Sequence, residues 1–295
     1  MTRREFLVNG FRAGVVLLGT KGVYNTSRYN LGLGRVMLQV PTLPSSFEGF
    51  KIGLLSDFHS SVIVSEGLIS RSARMCMDEA PDVIALTGDF ITGTNKVGGS
   101  AKVAMERGAR GYIDRCVDAL STLRAPMGIY GVLGNHDFWS GQGAVDAICQ
   151  SFTERIGVVW LRNKNVRIQR GDKYIYILGV DDYWQNSCSL VEAYRGVDAA
   201  AVKILLSHNP DINIEIESSR KRIDVVLSGH THGGQIVFPF IGAPFLPSTL
   251  GQKYISGVVR DGVRQTYITT GVGDNMLPLR YNCPPEVAII TLKSS

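Results

Sequence analysis

The most constraining feature of this chain is that each of its five histidines follows a short apolar run. The run Asp224-Val225-Val226-Leu227 is short and β-branched and a glycine follows shortly after it, so it is predicted to be a buried strand. It leads into Gly229-His230-Thr231-His232-Gly233-Gly234, where glycines allow the backbone to bend around two imidazoles. Imidazole nitrogens suit Zn, Mn, Fe or Ni, so this loop is a candidate metal site. The other histidines are His59, His136 and His208.

Apolar runs alternate with stretches of helical periodicity along most of the chain. Strands are predicted at 50–56, 81–87, 128–133, 166–168, 174–179, 203–206, 224–227, 265–270 and 286–292, and helices at 65–79, 110–123 and 141–156. Right-handed crossovers between such strands predict a largely parallel, buried α/β sheet. Ligands of such sheets lie at the carboxyl ends of the strands, which is where the histidines fall.

Composition and charge exclude several classes of protein. A hydrophobic content of 44% and a charged content of 19% fit a globular chain rather than a disordered one. The net charge of +5 is mild, and the one dense basic run, Arg220-Lys221-Arg222, is typical of a solvated helix end, so no nucleic-acid partner is expected. The five cysteines are widely spaced without a CxxC pair, which predicts neither a zinc ribbon nor a disulfide framework.

The amino-terminal segment has the features of an export signal. Thr2-Arg3-Arg4-Glu5-Phe6-Leu7 precedes a modestly apolar run, as in a twin-arginine leader. That run is shorter than the roughly 20 residues of a membrane-spanning helix. No Ala-x-Ala cleavage site precedes Val40, so the leader is expected to keep the protein near the membrane. The alternative is a basic leader on a cytoplasmic, membrane-associated protein. We predict a leader at 1–20, a linker at 21–48 and one domain at 49–295.

The polar residues at the strand ends form the ordered pattern DxH, GD, GNHD, H and GHxH. Their positions are Asp57, His59, Asp89, Asn135, His136, Asp137, His208, His230 and His232. This pattern resembles the calcineurin-like metallophosphoesterases, and the resemblance covers residues 50–232. It implies a four-layer α/β/β/α sandwich of mixed sheets with a metal site at the carboxyl ends of the strands.

The resemblance also implies two divalent cations. Such a pair, about 3.5–4 Å apart, stabilises the attacking and leaving oxygens of a phosphate ester and acidifies a bridging water. Asp89 would bridge the two cations. The other ligands would be Asp57, His59 and His232 for the first cation, and Asn135, His208 and His230 for the second. The ligand types do not separate Mn, Fe, Zn and Ni.

The same resemblance assigns the remaining polar residues of the GNHD block. His136 would donate a proton to the leaving oxygen or stabilise its charge, and Asp137 would orient the ring of His136. The apolar segment Ile236–Pro247 follows the metal loop and is expected either to form a rim that suits lipid or nucleobase, or to pack against the sheet edge. Arg280 and Asp181 are further candidates for the substrate rim.

Later segments narrow the resemblance to bacterial phosphodiesterases that begin with a twin-arginine leader. They are 207–211, 229–235, 242–245 and 280–286. The predicted function is hydrolysis of phosphate esters, with diesters favoured over monoesters, at the outer face of the cytoplasmic membrane or in the periplasm. The partners implied are a phosphate ester, the twin-arginine export machinery and a membrane or lipid surface. One alternative is a pyrophosphatase of a lipid-linked sugar nucleotide of the UDP-2,3-diacylglucosamine type. A second is a noncatalytic metal-bound scaffold.

Overall fold

The computed structural model describes residues 30–93, 100–275 and 277–294, with the backbone alone for 100–108. Its strands form two six-stranded sheets. The first contains, in spatial order, β1 (Gly32–Gln39), β12 (Glu286–Lys293), β2 (Lys51–Leu55), β3 (Val83–Leu86), β4 (Ile129–Gly131) and β5 (Val158–Trp160). The second contains β10 (Gly257–Asp261), β11 (Arg264–Ile268), β9 (Val225–Ser228), β8 (Lys203–Leu206), β7 (Lys173–Gly179) and β6 (Lys164–Arg170).

Helices cover the outer faces of both sheets. They are α1 (Glu66–Met77), α2 (Ser100–Ala119), α3 (Asn135–Trp139), α4 (Gln142–Ile156), α5 (Leu190–Ala193) and α6 (Ile212–Ser219). Helix α1 begins where the Ser65 hydroxyl accepts a hydrogen bond from the amide of Leu68, and α4 ends at Gly157, whose φ is 74°. Helix α2 begins ten residues before the position predicted at Arg110.

Strand alternation produces the layers, because successive side chains point to opposite faces of a sheet. In β8, Ile204 and Leu206 enter the core between the two sheets, while Leu205 packs with Ile212 and Ile216 of α6. In β3, Ile84 and Leu86 pack under the helices of the first sheet, and the alternate residues face the second sheet. The four-layer α/β/β/α sandwich is therefore confirmed.

Parallel pairing brings the polar strand ends to the same edge of each sheet. Strands β2, β3, β4 and β5 are parallel neighbours, as are β7, β8, β9 and β11. Antiparallel pairs join β12 to β2, β6 to β7 and β10 to β11, so both sheets are mixed. The GD and GNHD blocks follow β3 and β4, and the metal loop follows β9.

The predicted linker at 21–48 is wrong for its second half. Strand β1 pairs in parallel with β12 over eight residues, and Leu38, Val40 and Phe47 are buried between the sheets. The glycines and prolines of this segment indicated a linker, but they lie at the start of β1 and after its end. The residues between them alternate between apolar and polar side chains and can therefore form a strand that pairs with β12. The predicted leader at 1–20 and residues 21–29 lie outside the described residues.

No helix within the described ranges combines the length and the apolar character needed to cross a bilayer.

Candidate metal centre

The structure brings the histidine and aspartate side chains of the strand ends into three overlapping groups. In each group the nearest ligand atoms lie within 4.8 Å of one another, and every member is buried. The groups are Asp57 with His59 and His232, Asp89 with His208 and His230, and His59 with Asp89 and His136. Strands of both sheets contribute, so the site lies where the carboxyl ends of the two sheets meet.

The first group has the spacing of ligands around one ion. Nε2 of His59 lies 3.0 Å from Nε2 of His232 and 3.4 Å from Oδ2 of Asp89. Nε2 of His232 lies 3.5 Å from Oδ1 of Asp57. Metal–ligand bonds of about 2.1 Å in tetrahedral or octahedral geometry separate neighbouring ligand atoms by roughly 3.0–3.4 Å. The donor set therefore fits a divalent cation.

The second group has the same spacing and shares one carboxylate with the first. Nε2 of His208 lies 3.2 Å from Oδ2 of Asp89, 3.1 Å from Oδ1 of Asn135 and 3.1 Å from Nδ1 of His230. Oδ2 of Asp89 thus faces a histidine of each group. A single carboxylate in this position suits two cations that share one ligand.

Backbone carbonyls fix the tautomers of two candidate ligands. Nδ1 of His208 lies 2.7 Å from the Thr87 carbonyl oxygen, and Nε2 of His230 lies 2.7 Å from that of Pro247. Each of these nitrogens donates its proton, because a carbonyl oxygen only accepts. In the neutral form of each ring, the opposite nitrogen carries the lone pair and faces the site, which is the arrangement of metal-binding histidines.

Burial favours the neutral form of most of these imidazoles. Desolvation, the largest cause, outweighs the attraction of the Asp89 carboxylate and lowers the pKa of His59 and of His230 to about 3; it also places the pKa of His232 well below its ordinary value. Burial also disfavours charge on His208, but the adjacent Asp89 carboxylate outweighs it and raises the pKa of His208 to about 10. His59, His230 and His232 are therefore in the neutral form that metal binding needs, whereas His208 would release a proton when a cation binds.

The backbone of the site is held in an unusual conformation. Five candidate ligands have a positive backbone φ angle, which is rare for residues other than glycine: Asp57 (55°), His59 (45°), Asp89 (56°), His230 (71°) and His232 (51°). Glycines permit close approach to the aspartates, since a Cβ at Gly229 would overlap the carboxylate of Asp57 and a Cβ at Gly134 that of Asp89. Such strain persists only where the surrounding structure fixes it, and it clusters at functional sites.

The structure contradicts the predicted contact between Asp137 and the ring of His136. The Asp137 carboxylate accepts hydrogen bonds from the backbone amides of Gly134, Asp89 and Phe90 at 2.9–3.0 Å. Burial and the charge of Asp89 outweigh these donors and raise the pKa of Asp137 to about 8. Asp137 therefore ties the turn after β4 to the turn after β3, and it acts on the position of Asp89 rather than on the ring of His136.

The His136 ring is held by residues that the sequence did not indicate. Nδ1 lies 2.6 Å from the carbonyl oxygen of Gly93, and Nε2 lies 3.2 Å from Nδ2 of Asn275. The Oδ1 atom of Asn275 is buried and has no hydrogen-bond partner among the described residues. Because the amide can turn, Asn275 can donate to a neutral His136 or accept from a protonated one.

Arg280 is not a rim residue. Its side chain is fully buried, Nε donates to Oδ1 of Asp274 at 3.0 Å, and Nη2 donates to the carbonyl of Thr270 at 2.9 Å. Nη2 also lies 3.3 Å from Nδ1 of His232. The guanidinium therefore lies against the Nδ1 side of His232, and it ties the loop after β11 to the 280–283 turn.

Replacing Arg280 by methionine is expected to weaken both the fold and the metal site. The buried Asp274 loses its charged partner, which costs roughly 3–5 kcal/mol in the free energy of unfolding. Loss of the hydrogen bonds that hold the loop beside His232 is expected to lower metal affinity by about 10–100-fold, the usual effect of removing a residue that positions a ligand. Urea unfolding and metal titration measure the two effects. Arg195→Met removes an exposed pair with Glu192 and serves as the control. Unchanged metal affinity in the Arg280 variant would contradict a role for Arg280 in positioning His232.

Asp181 is also buried rather than at the rim. Its carboxylate receives two hydrogen bonds of 2.9 Å from Arg162 and one of 3.1 Å from the Ser187 hydroxyl. These contacts use both oxygens and hold the loop that follows β7. The prediction that Asp181 faces substrate is therefore wrong.

The apolar segment Ile236–Pro247 is exposed over much of its length instead of packing fully against a sheet. Phe240, Ile241 and Phe245 are exposed, whereas the segment begins beside His232 and ends at Pro247, the acceptor for His230. Two backbone hydrogen bonds hold the beginning of the segment. The amide of Val237 donates to the carbonyl of Tyr281, and the amide of Tyr281 donates to the carbonyl of Gln235. Of the two expectations, the apolar rim is the one that agrees with this exposure.

Comparison with known proteins defines the class of this chain. The model of the family "Calcineurin-like phosphoesterase" matches residues 50–234. The uncharacterized metallophosphoesterase YkuE of Bacillus subtilis is 30% identical over 304 residues, covering 100% of this chain and 99% of that protein. The phosphodiesterase YaeI of Escherichia coli is 31% identical over 243 residues, covering 82% of each chain.

A transmembrane protein with a metallophosphoesterase domain from Danio rerio is 27% identical, covering 88% of this chain and 57% of that protein. Fold, His/Asp clusters and sequence similarity agree. The chain belongs to the calcineurin-like phosphoesterase family, whose members are hydrolases of phosphate esters.

Proposed function

We propose that the protein is a phosphodiesterase that uses two divalent cations. The observation that carries this proposal is the position of Asp89, whose Oδ2 lies 3.4 Å from His59 of one group and 3.2 Å from His208 of the other. When bound, the cations would supply Lewis-acid stabilisation of the phosphoryl oxygens and an activated water. Asp57, His59 and His232 would hold one cation, and Asn135, His208 and His230 the other.

His136 would act on the leaving oxygen. Its ring contacts that of His59 with centroids 4.7 Å apart, so it lies beside the candidate ligands. Its backbone amide donates to Oδ1 of Asp89 at 2.9 Å, which fixes its position relative to the shared carboxylate. Gly93 and Asn275 then hold both ring nitrogens in one orientation. A positioned imidazole of this kind transfers a proton to a departing alkoxide.

Two observations favour diesters over monoesters. YaeI, a relative at 31% identity, carries the name phosphodiesterase. Among the described residues, the basic side chain in contact with a candidate ligand is that of Arg280; it is buried and bonded to Asp274 and backbone carbonyls, so it does not reach the extra negative charge of a monoester.

Membrane proximity belongs to the same proposal. The exposed side chains Phe240, Ile241 and Phe245 beside the site suit contact with lipid, and the amino-terminal sequence supports export to the outer face of the membrane or the periplasm. The second candidate function, cleavage of a lipid-linked sugar nucleotide, is favoured by this apolar segment. Hydrolysis of such a lipid without hydrolysis of small diesters would select it.

Chelation is expected to abolish turnover reversibly. Protein treated with EDTA should lose nearly all hydrolysis of bis(p-nitrophenyl) phosphate and recover it with Mn²⁺, because the buried donors would hold the cations that supply Lewis-acid stabilisation and an activated water. The diester should also be cleaved with a higher kcat/KM than p-nitrophenyl phosphate. Elemental analysis and nitrophenolate release measure these effects. A metal-loaded protein that cleaves neither ester would instead support the noncatalytic scaffold, and turnover that survives chelation would contradict the proposal.

A further inference from the structure

We propose that Trp139 and Trp184 form an aromatic wall of the site that binds a planar ring carried by the phosphate ester. This inference rests on the proposed function and assigns a substrate class to the same site. The sequence pattern of strand-end motifs did not include either residue. Trp139 lies at the end of the short helix α3, and Trp184 lies in the loop after β7. The wall is defined by these two indoles alone.

The wall joins the two sides of the candidate metal centre. Trp139 contacts the ring of His136, with centroids 4.8 Å apart. Trp184 contacts the ring of His230, with centroids 4.4 Å apart and planes at 87°. The two indoles lie nearly parallel to each other, at 19°, with centroids 6.1 Å apart. These separations are within or close to the range of attractive aromatic pairs. A phosphate held at the metal centre would therefore have an aromatic surface directly beside it.

The exposure and the contacts of Trp139 and Trp184 differ from those of a tryptophan packed in a hydrophobic core. Trp184 is 42% exposed, although large aromatic side chains are usually buried. Within the described part of the chain, Trp160 packs against the core that holds Phe90 and Phe152, whereas neither Trp139 nor Trp184 belongs to such a core. An indole that contacts a candidate ligand on one side and solvent on the other is placed to receive a partner.

The loop that carries Trp184 is held rigidly enough to present it. The backbone amide of Trp184 donates to Oδ1 of Asp182 at 3.0 Å, and Asp182 is fully buried. The neighbouring Asp181 binds Arg162 and Ser187, which fixes the start and the middle of the same loop. A surface that is already ordered loses little conformational entropy when a ligand binds. Both aspartates therefore act as positioning residues for the wall.

Calorimetric titration of the Mn²⁺-loaded full chain tests the wall with ligand pairs that differ in their ring. Phenylphosphonate should bind about fivefold more tightly than methylphosphonate, the change expected from one aromatic stacking contact. Uridine 5′-monophosphate and ribose 5-phosphate form the second pair, which distinguishes a nucleobase from a simple aryl group. In Trp184→Ala the ratio within each pair should fall below about twofold. Trp160→Phe, the matched control, should keep the wild-type ratios.

The outcomes separate this inference from the proposed function. Preference for the ring-bearing member of at least one pair, lost in Trp184→Ala and kept in Trp160→Phe, supports the wall, and the pair concerned identifies the ring. Equal affinities within both pairs in the wild type, or a preference that survives in Trp184→Ala, overturn it. Turnover of bis(p-nitrophenyl) phosphate by the same preparations reports separately on the phosphodiesterase. A protein that prefers the ring but hydrolyses no ester would contradict the function and leave the wall standing.

Discussion

Replacement of His136 by alanine is expected to lower kcat by about 10²–10⁴-fold while the protein retains its metal ions. The ring lies beside His59 and Asp89, but its nitrogens contact Gly93 and Asn275. Its loss therefore removes the proposed proton donor without removing the proposed bridging carboxylate or any of the six other proposed ligands. Elemental analysis and single-turnover hydrolysis of bis(p-nitrophenyl) phosphate measure the two quantities.

The size of this effect depends on the leaving group, which provides an internal control. A nitrophenolate departs readily without a proton, whereas an alkoxide needs one, so the loss in His136→Ala should be larger for a diester with an alkyl leaving group. Asn275→Ala should produce a smaller loss, because it leaves the ring in place and removes the contact of only one ring nitrogen. Equal turnover in wild type and His136→Ala would exclude His136 from the reaction. Loss of metal together with activity would make it a ligand, as its grouping with His59 and Asp89 also permits.

Replacement of Asp89 by asparagine is expected to remove activity by at least about 10³-fold, through loss of the cations themselves. The substitution keeps the shape of the side chain and an oxygen that can accept from the His136 amide. It removes the negative charge between His59 and His208, and Lewis-acid stabilisation of several kcal/mol is lost with the cations. Metal content and kcat/KM should fall together.

Asp224→Asn is the matched control for this variant. Asp224 is also buried, but it precedes β9 at the end opposite the site, where it binds Arg222 and the Lys203 amide. This control should lose stability while retaining metal and turnover per folded molecule. A fully metal-loaded Asp89→Asn protein would refute the shared-carboxylate arrangement.

The gathering of the candidate ligands was predictable because it follows from strand order, whereas the four-layer sandwich was implied by the resemblance of the motif pattern to a known family. Buried runs such as 203–206 and 224–227 identify central strands, and parallel pairing carries the residues after them to one edge. Strand β1 was missed since its partner, β12, lies about 250 residues later, and flanking glycine and proline indicated a linker.

The errors within the site concern the direction of side chains, which the order of residues does not determine. Asp137 follows His136 immediately, yet its carboxylate turns back to the amides of Gly134 and Phe90. Arg280 stands in a polar turn, but the carbonyls around it draw the guanidinium inward. Trp184 and Asn275 were missed because their contacts with the site join residues far apart in the chain.

The proposed function depends on two cations that share Asp89 between two sets of three ligands, and anomalous diffraction from crystals of the Mn²⁺-loaded protein tests this arrangement most directly. We expect two peaks about 3.5–4 Å apart. One should be bound by Asp57, His59 and His232, the other by Asn135, His208 and His230, with Asp89 between them. A single peak, or two peaks that do not both contact Asp89, would exclude the shared carboxylate.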